Sequence, residues 1–212
     1  MKKFIKLVGS NAMGDNSSKY LDWYCDHVSI LFRDPGMLAA TLYRLTHPPT
    51  GDEPQYVCLY TFQDESDFEA FSGGAARQAA SIVREQGWGK TRAQVTHRGE
   101  YTRAFQRTIG HAYPSVVDLR ALQSNTHDAD AMMRYVDSCM QTIIVQHGGR
   151  IEIMQPAAGC DHWLLLHTTG HPHHDDASVQ PLPAPACPDA LPPLALQTCW
   201  AGKYVQIAQW SR

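Results

Sequence analysis

His27, Tyr43 and His47 are the residues of this chain best suited to moving protons. An imidazole with a pKa near 6.5 takes and returns a proton at neutral pH, as an isomerisation or an aldol-type cyclisation requires. His27 follows Trp23 by four residues and Tyr20 by seven, which aims all three from the sheet-facing side of a helix. Tyr43 and His47 share one face of a strand, because side chains alternate with period two. If that face looks toward the helix, Tyr43 orients a substrate oxygen and His47 stands at the mouth of a pocket. Each residue also has a plainer reading: a core histidine bonded to a carbonyl, a core tyrosine, a solvated strand-end histidine. Further on, Tyr56, Cys58, Tyr60 and Phe62 fall on one face of another strand. They make either an aromatic pocket wall or an ordinary core stripe, and no neighbouring charge marks Cys58 as a depressed-pKa nucleophile.

Other strings carry less. His171-Pro172-His173-His174-Asp175-Asp176 offers imidazoles and carboxylates at short spacing, but in a proline-rich stretch without rigid support. It reads as a solvated loop, and no metal is expected. Gly73-Gly74 and Gly148-Gly149 lack the strand–loop–helix setting of a phosphate-binding loop. No G-x-S-x-G nucleophile elbow occurs.

The elements that must hold these residues are well punctuated in the first half. Phe4 to Val8 reads as a strand, and Asn16-Ser17-Ser18 caps a helix from about Lys19 to Arg33. Asp34-Pro35-Gly36 stops it. Met37 to His47 and Gln55 to Phe62 read as strands. Asp64 caps a second helix, with a break at Gly73-Gly74, that runs to Gln86 and ends at Gly87-Trp88-Gly89. A last strand lies within Ala93 to Arg107. The order is β-α-β-β-α-β, the ferredoxin-like unit.

The second half repeats much of this order. Ser115 to Gln123 is a strand, a helix capped by Thr126 or Asp128 runs to about Gln146, and strands follow at Arg150 to Gln155, His162 to Thr168 and Lys203 to Trp210. Both closing strands open with Gly-x-Tyr, as Gly99-Glu100-Tyr101 and Gly202-Lys203-Tyr204. The copy lacks its second helix: Gly170 to Leu196 holds seven of the 13 prolines, which forbids a regular helix. A ferredoxin-like sheet has helices on one face only, so its other face needs a partner sheet. Leu38 to Leu45 and Trp163 to Leu166 barely alternate in polarity, as burial on both faces requires. The expected fold is α+β: two ferredoxin-like repeats, residues 1–108 and 109–212 with a loop at 170–196, whose sheets pack into an intrachain α/β barrel.

The stretch from Ser18 to Leu31, followed by Asp34-Pro35-Gly36-Met37, resembles the first-helix signature of EthD-like proteins in the dimeric α/β-barrel superfamily. Phe62 to Phe71 is similar to that family's strand-to-second-helix junction. The resemblance covers the first 107 residues and is faint beyond them; aligning Gly36 with Gly149 puts Met140 opposite His27. It implies a pocket between sheet and helices for a small hydrophobic, oxygenated substrate, and chemistry by proton transfer without metal, flavin or other cofactor. The trio His27, Tyr43 and His47 resembles the arrangement of methylmuconolactone methylisomerases, with Tyr20, Trp23, Cys58 and Tyr60 as the pocket wall. The leading expectation is therefore an isomerase, cyclase or lyase on an aromatic, lactone or polyketide-like compound. The alternatives are a cofactor-free monooxygenase acting on an activated phenol, and a non-catalytic carrier.

Bulk properties fit these readings. The 212 residues are 43% hydrophobic and 18% charged with a net charge of −3, a globular composition without the basic footprint of nucleic-acid binding. No apolar run is long enough to cross a bilayer. Six scattered cysteines without framework spacing read as reduced thiols, hence a cytoplasmic setting. Neither nucleic acid nor membrane is an expected partner; a homodimer stays open.

Overall fold

The computed structural model describes residues 2–14, 17–86, 92–109, 116–124, 130, 132, 134, 149–157, 159–169 and 196–212. In chain order these form β1 (Phe4–Ala12), α1 (Ser17–Leu31), β2 (Met37–Leu45), β3 (Tyr56–Phe62), α2 (Glu65–Gly73), α3 (Ala75–Gln86), β4 (Ala93–Ile109), β5 (Val116–Ser124), β6 (Gly149–Pro156), β7 (His162–Thr169) and β8 (Leu196–Ser211). Of the helix expected between Thr126 and Gln146, only Asp130, Met132 and Arg134 are described, and they are helical. Met140, the histidine-rich string and the stops at Gly87-Trp88-Gly89 and Gly148 lie outside the described residues, as does nearly all of the proline-rich stretch. Its end at Leu196 instead opens β8, which begins seven residues before the expected Lys203.

Local chemistry sets the helix boundaries. The Asp64 carboxylate accepts the Asp67 backbone N–H at 3.1 Å and starts α2. The backbone of Gly74 is extended, and its N–H closes α2 on the Phe71 carbonyl at 2.9 Å, which separates α2 from α3. After α1, the Asp34 carboxylate accepts the Gly36 N–H at 3.0 Å and turns the chain into β2.

The strands close into a barrel in the order β1-β3-β2-β8-β5-β7-β6-β4, antiparallel throughout. Strands β4-β1-β3-β2 and β8-β5-β7-β6 are two runs of the same ferredoxin-like order, joined edge to edge by β2 against β8 and β4 against β6. Closure inside one chain leaves neither sheet an open edge, the demand that the bare sheet faces raised. Two apolar layers result. Ile5, Leu7, Leu59, Leu119, Leu166 and Tyr204 fill the barrel interior. Phe4, Leu42, Tyr56, Cys58, Tyr60 and Phe62 point outward beneath the helices. No helix among the described residues is long and apolar enough to cross a membrane.

Candidate functional site

Beneath α1 the period of the helix and the period of β3 meet. Tyr20, Tyr24, His27, Val28 and Leu31 are the buried residues of α1. They face Tyr56, Cys58 and Tyr60, which one strand face presents together. The contact is largely aromatic. Tyr20 stacks on Tyr56 with centroids 4.5 Å apart, and the Trp23 indole lies 5.3 Å from the His27 ring at an interplanar angle of 21°. Polar tips inside this layer pair with one another: the Tyr20 hydroxyl with Ser10, and the Tyr24 hydroxyl with that of Tyr60 at 3.3 Å. Cys58, fully buried, hydrogen-bonds both Tyr60 and Tyr24. Burial pushes its thiol up to about 12 despite those bonds, so it stays protonated and serves as part of the wall.

His27 departs from this pairing. The residue is 9% exposed, and its Nδ1 has no hydrogen-bond partner. Burial, followed by the positive charges of Arg77 and Arg84 on α3, lowers its pKa from 6.5 to about 4. The imidazole is therefore neutral at physiological pH. A buried nitrogen without a partner costs stability unless a ligand supplies one.

The other two members of the expected trio are elsewhere. Tyr43 points into the barrel interior beside Leu45 and Val57, on the face of the sheet opposite His27. There burial and the Glu152 carboxylate raise its pKa and hold the hydroxyl protonated. His47 lies beyond the end of β2, exposed, with Nδ1 donating to the Pro48 carbonyl at 2.9 Å. The condition attached to this pair, that its strand face looks toward the helix, is not met. An irregularity at Met37/Ala39 inserts Leu38 as an extra residue in β2, so that Met37 and Leu42 both face the helices while Tyr43 faces inward. Of the expected wall, Trp23 packs on the His27 ring, and Tyr20, Cys58 and Tyr60 lie in the helix-covered layer beneath α1. Tyr24 joins them, a residue the helix spacing places on the right face but whose bond to Tyr60 only the fold reveals.

A second constellation escaped the sequence altogether. At one end of the barrel a cavity of about 650 Å³ is lined by residues that include Asn11, Glu53, His97, His162 and Trp200. The His162 Nε2 meets the Tyr101 hydroxyl at 2.8 Å, and its Nδ1 faces the Asp161 carboxylate at 3.1 Å and the Cys160 sulfur at 3.8 Å. Sixty-one residues separate His162 from Tyr101, and no local spacing foretells their meeting. Among the described residues no cluster of histidine, cysteine and acidic side chains is arranged to hold a metal ion.

Comparison with known proteins bears on the fold. No protein-family model matches the chain, and neither does any curated protein. Solved structures do. An anthrone oxidase-like protein superposes over 99% of this chain and 93% of its own at a TM-score of 0.63 and 9% identity. A candidate monooxygenase of Lactobacillus acidophilus covers 100% of this chain and 97% of its own, with a TM-score of 0.53 and 9% identity. Another, from Fusobacterium nucleatum, covers 80% and 76%, with a TM-score of 0.55 and 10% identity. At such identities the likeness is one of fold: this chain is a ferredoxin-like α/β barrel, the fold that the first-helix resemblance implies.

Proposed function

We propose that this chain is an enzyme acting on a small, apolar, oxygenated molecule held under α1, with His27 as the general base. The observation that carries this reading is the buried, neutral, unpartnered Nδ1 of His27. A base that stays unprotonated down to acid pH can take a proton from an activated C–H or phenolic O–H without first losing one to water. Arg77 and Arg84 favour the anion so formed through the same field that disfavours the imidazolium. The hydroxyls of Tyr24 and Tyr60 are the donors at hand for a substrate oxygen. Isomerisation, cyclisation or lyase chemistry needs no more than this. Tyr43 and His47 have no part in it.

One observation favours an oxidation by the same base. The Trp23 ring stacks on His27, where an indole can relay an electron between a bound carbanion and O₂. The structural neighbours described as monooxygenases and as anthrone oxidase-like point the same way. The reaction balances without an outside reductant. A methylene flanked by aromatic rings loses two hydrogens, one oxygen atom becomes the carbonyl, and the other leaves as water.

The test is product formation and oxygen uptake with a hydroxylated anthrone, in air and without it. Oxygen-dependent turnover that falls by about 10²-fold or more in His27→Gln and is nearly unchanged in Tyr43→Phe supports the oxidation. Conversion that persists without oxygen assigns the base to an isomerase or cyclase. Stoichiometric binding without conversion makes the chain a carrier, and undiminished turnover in His27→Gln removes the base from the mechanism.

A further inference from the structure

His162 lines the barrel-end cavity, and the thiol of Cys160 sits beside it. The Cys160 N–H bonds the Ala157 carbonyl at 3.1 Å, with Gly159 at φ +83°, and Cys160 stands two residues before the start of β7. There its sulfur lies 3.8 Å from the His162 Nδ1 and hydrogen-bonds the fully buried Tyr101, whose hydroxyl also meets the His162 Nε2. We propose that Cys160, His162 and Tyr101 form a nucleophilic thiol site at this end of the barrel, one that adds to small neutral α,β-unsaturated carbonyl compounds.

The chemistry follows from the groups present. Burial pushes the Cys160 thiol up, but hydrogen bonds with His162 and Tyr101 and the imidazole's charge outweigh it and bring the thiol down to about 7. His162 moves the other way: its bond with Cys160 and the Asp161 carboxylate raise its pKa against burial. The remaining titratable neighbours are Cys199 on β8 and His97 on β4, with Asp52 facing His97. A thiolate–imidazolium pair is the reactive form. Its sulfur forms a bond to the β-carbon of the acceptor, the C=C π pair shifts to the carbonyl oxygen, and the His162 proton neutralises the resulting enolate. Nothing leaves and no oxidant is needed. Acyl transfer would demand an oxyanion hole in addition, whereas this addition uses only the two groups already paired. The cavity wall sets the preference for a neutral, flat acceptor. Trp200 and His97, packed edge to face at 5.4 Å, offer ring surfaces, while Asp52, Glu53 and Asp161 repel an anion.

Site-resolved alkylation of the intact protein by N-ethylmaleimide, followed by peptide mass spectrometry from about pH 5.5 to 9.5, tests this directly. Cys160 is expected to label with a midpoint near 7, against about 8.5 for an ordinary thiol. In His162→Gln the midpoint should rise and labelling at pH 6 should slow about tenfold. A maleimide bearing a carboxylate should react with Cys160 more slowly than the neutral reagent. Should His162→Gln unfold, the wild-type midpoint and the charge preference still decide. A Cys160 midpoint near that of a free thiol, unmoved by His162→Gln, overturns the proposal. So does an equal rate with both reagents.

Discussion

His27 has its proton equilibrium set by the rings and charges packed on it, and this has a measurable consequence. Its folded pKa, about 4, lies below the value near 6.5 expected in the unfolded chain. Between those values the unfolded state binds more protons, so the folded state loses stability as pH falls from about 6.5 to 4. The difference corresponds to roughly 3 kcal/mol. Denaturant unfolding of wild type and of His27→Gln should therefore diverge: wild type loses about that much more than the variant between pH 7 and 4. Parallel curves would mean that the imidazole titrates freely. The face of His27 was legible because Tyr20, Trp23 and Tyr24 precede it at helical spacing. The face of Tyr43 was not. With both sides of β2 apolar, period two has no polar side to orient it, and the irregularity at Met37/Ala39 changes parity without a sequence mark.

At the scale of single strands, the paired Gly-x-Tyr motifs find a steric explanation. In β4 the Tyr101 ring lies over Gly99, so close that a side chain there would overlap it. In β8 a Cβ on Gly202 would come within 2.8 Å of the Tyr204 ring and 2.7 Å of Leu45. Each glycine thus clears space for a tyrosine that fills the barrel interior, and each tyrosine ties down a distant segment: Tyr101 bonds His162, and Tyr204 donates to the Pro54 carbonyl at 2.8 Å. Neither glycine has a positive φ, so the constraint is close approach rather than backbone strain. Gly99→Ala and Gly202→Ala should each lower stability by about 1–3 kcal/mol in denaturant unfolding, the range for overpacking a filled core. Gly73→Ala, where the new methyl meets nothing within 4 Å, is the control and should cost far less. The sequence offered this motif only as a sign of repetition; its mechanical role needs the ring position. The break between α2 and α3 was readable, because glycines at 73 and 74 weaken a helix wherever they fall.

For the whole molecule, the two seams make each half depend on the other. Strand β8 belongs to the second run of strands, yet it continues past β2 to reach α1: Ala208 and Trp210 pack against the helix-covered layer, the Trp210 Nε1 donates to Ser29 at 3.3 Å, and Arg212 donates to the Asp34 carbonyl at 2.7 Å. The barrel was foreseeable from strands apolar on both faces. The reach of β8 was not, since it depends on how far two edges slide past each other. We read the halves as the units 1–108 and 109–212. Cutting the chain within 110–115 should then give fragments that associate when co-expressed and aggregate or self-pair when made alone, as size-exclusion chromatography would register. Two stable monomers would contradict interdependent sheets. The central claim, however, concerns what His27 faces, and a crystal structure of the chain soaked with a polycyclic phenol addresses it most directly. The account predicts a ligand oxygen about 2.6–3.2 Å from the His27 Nδ1, with the ring system against Trp23 and Tyr24. A phenol bound only at the barrel-end cavity, with the His27 Nδ1 still sealed by apolar side chains, would contradict it.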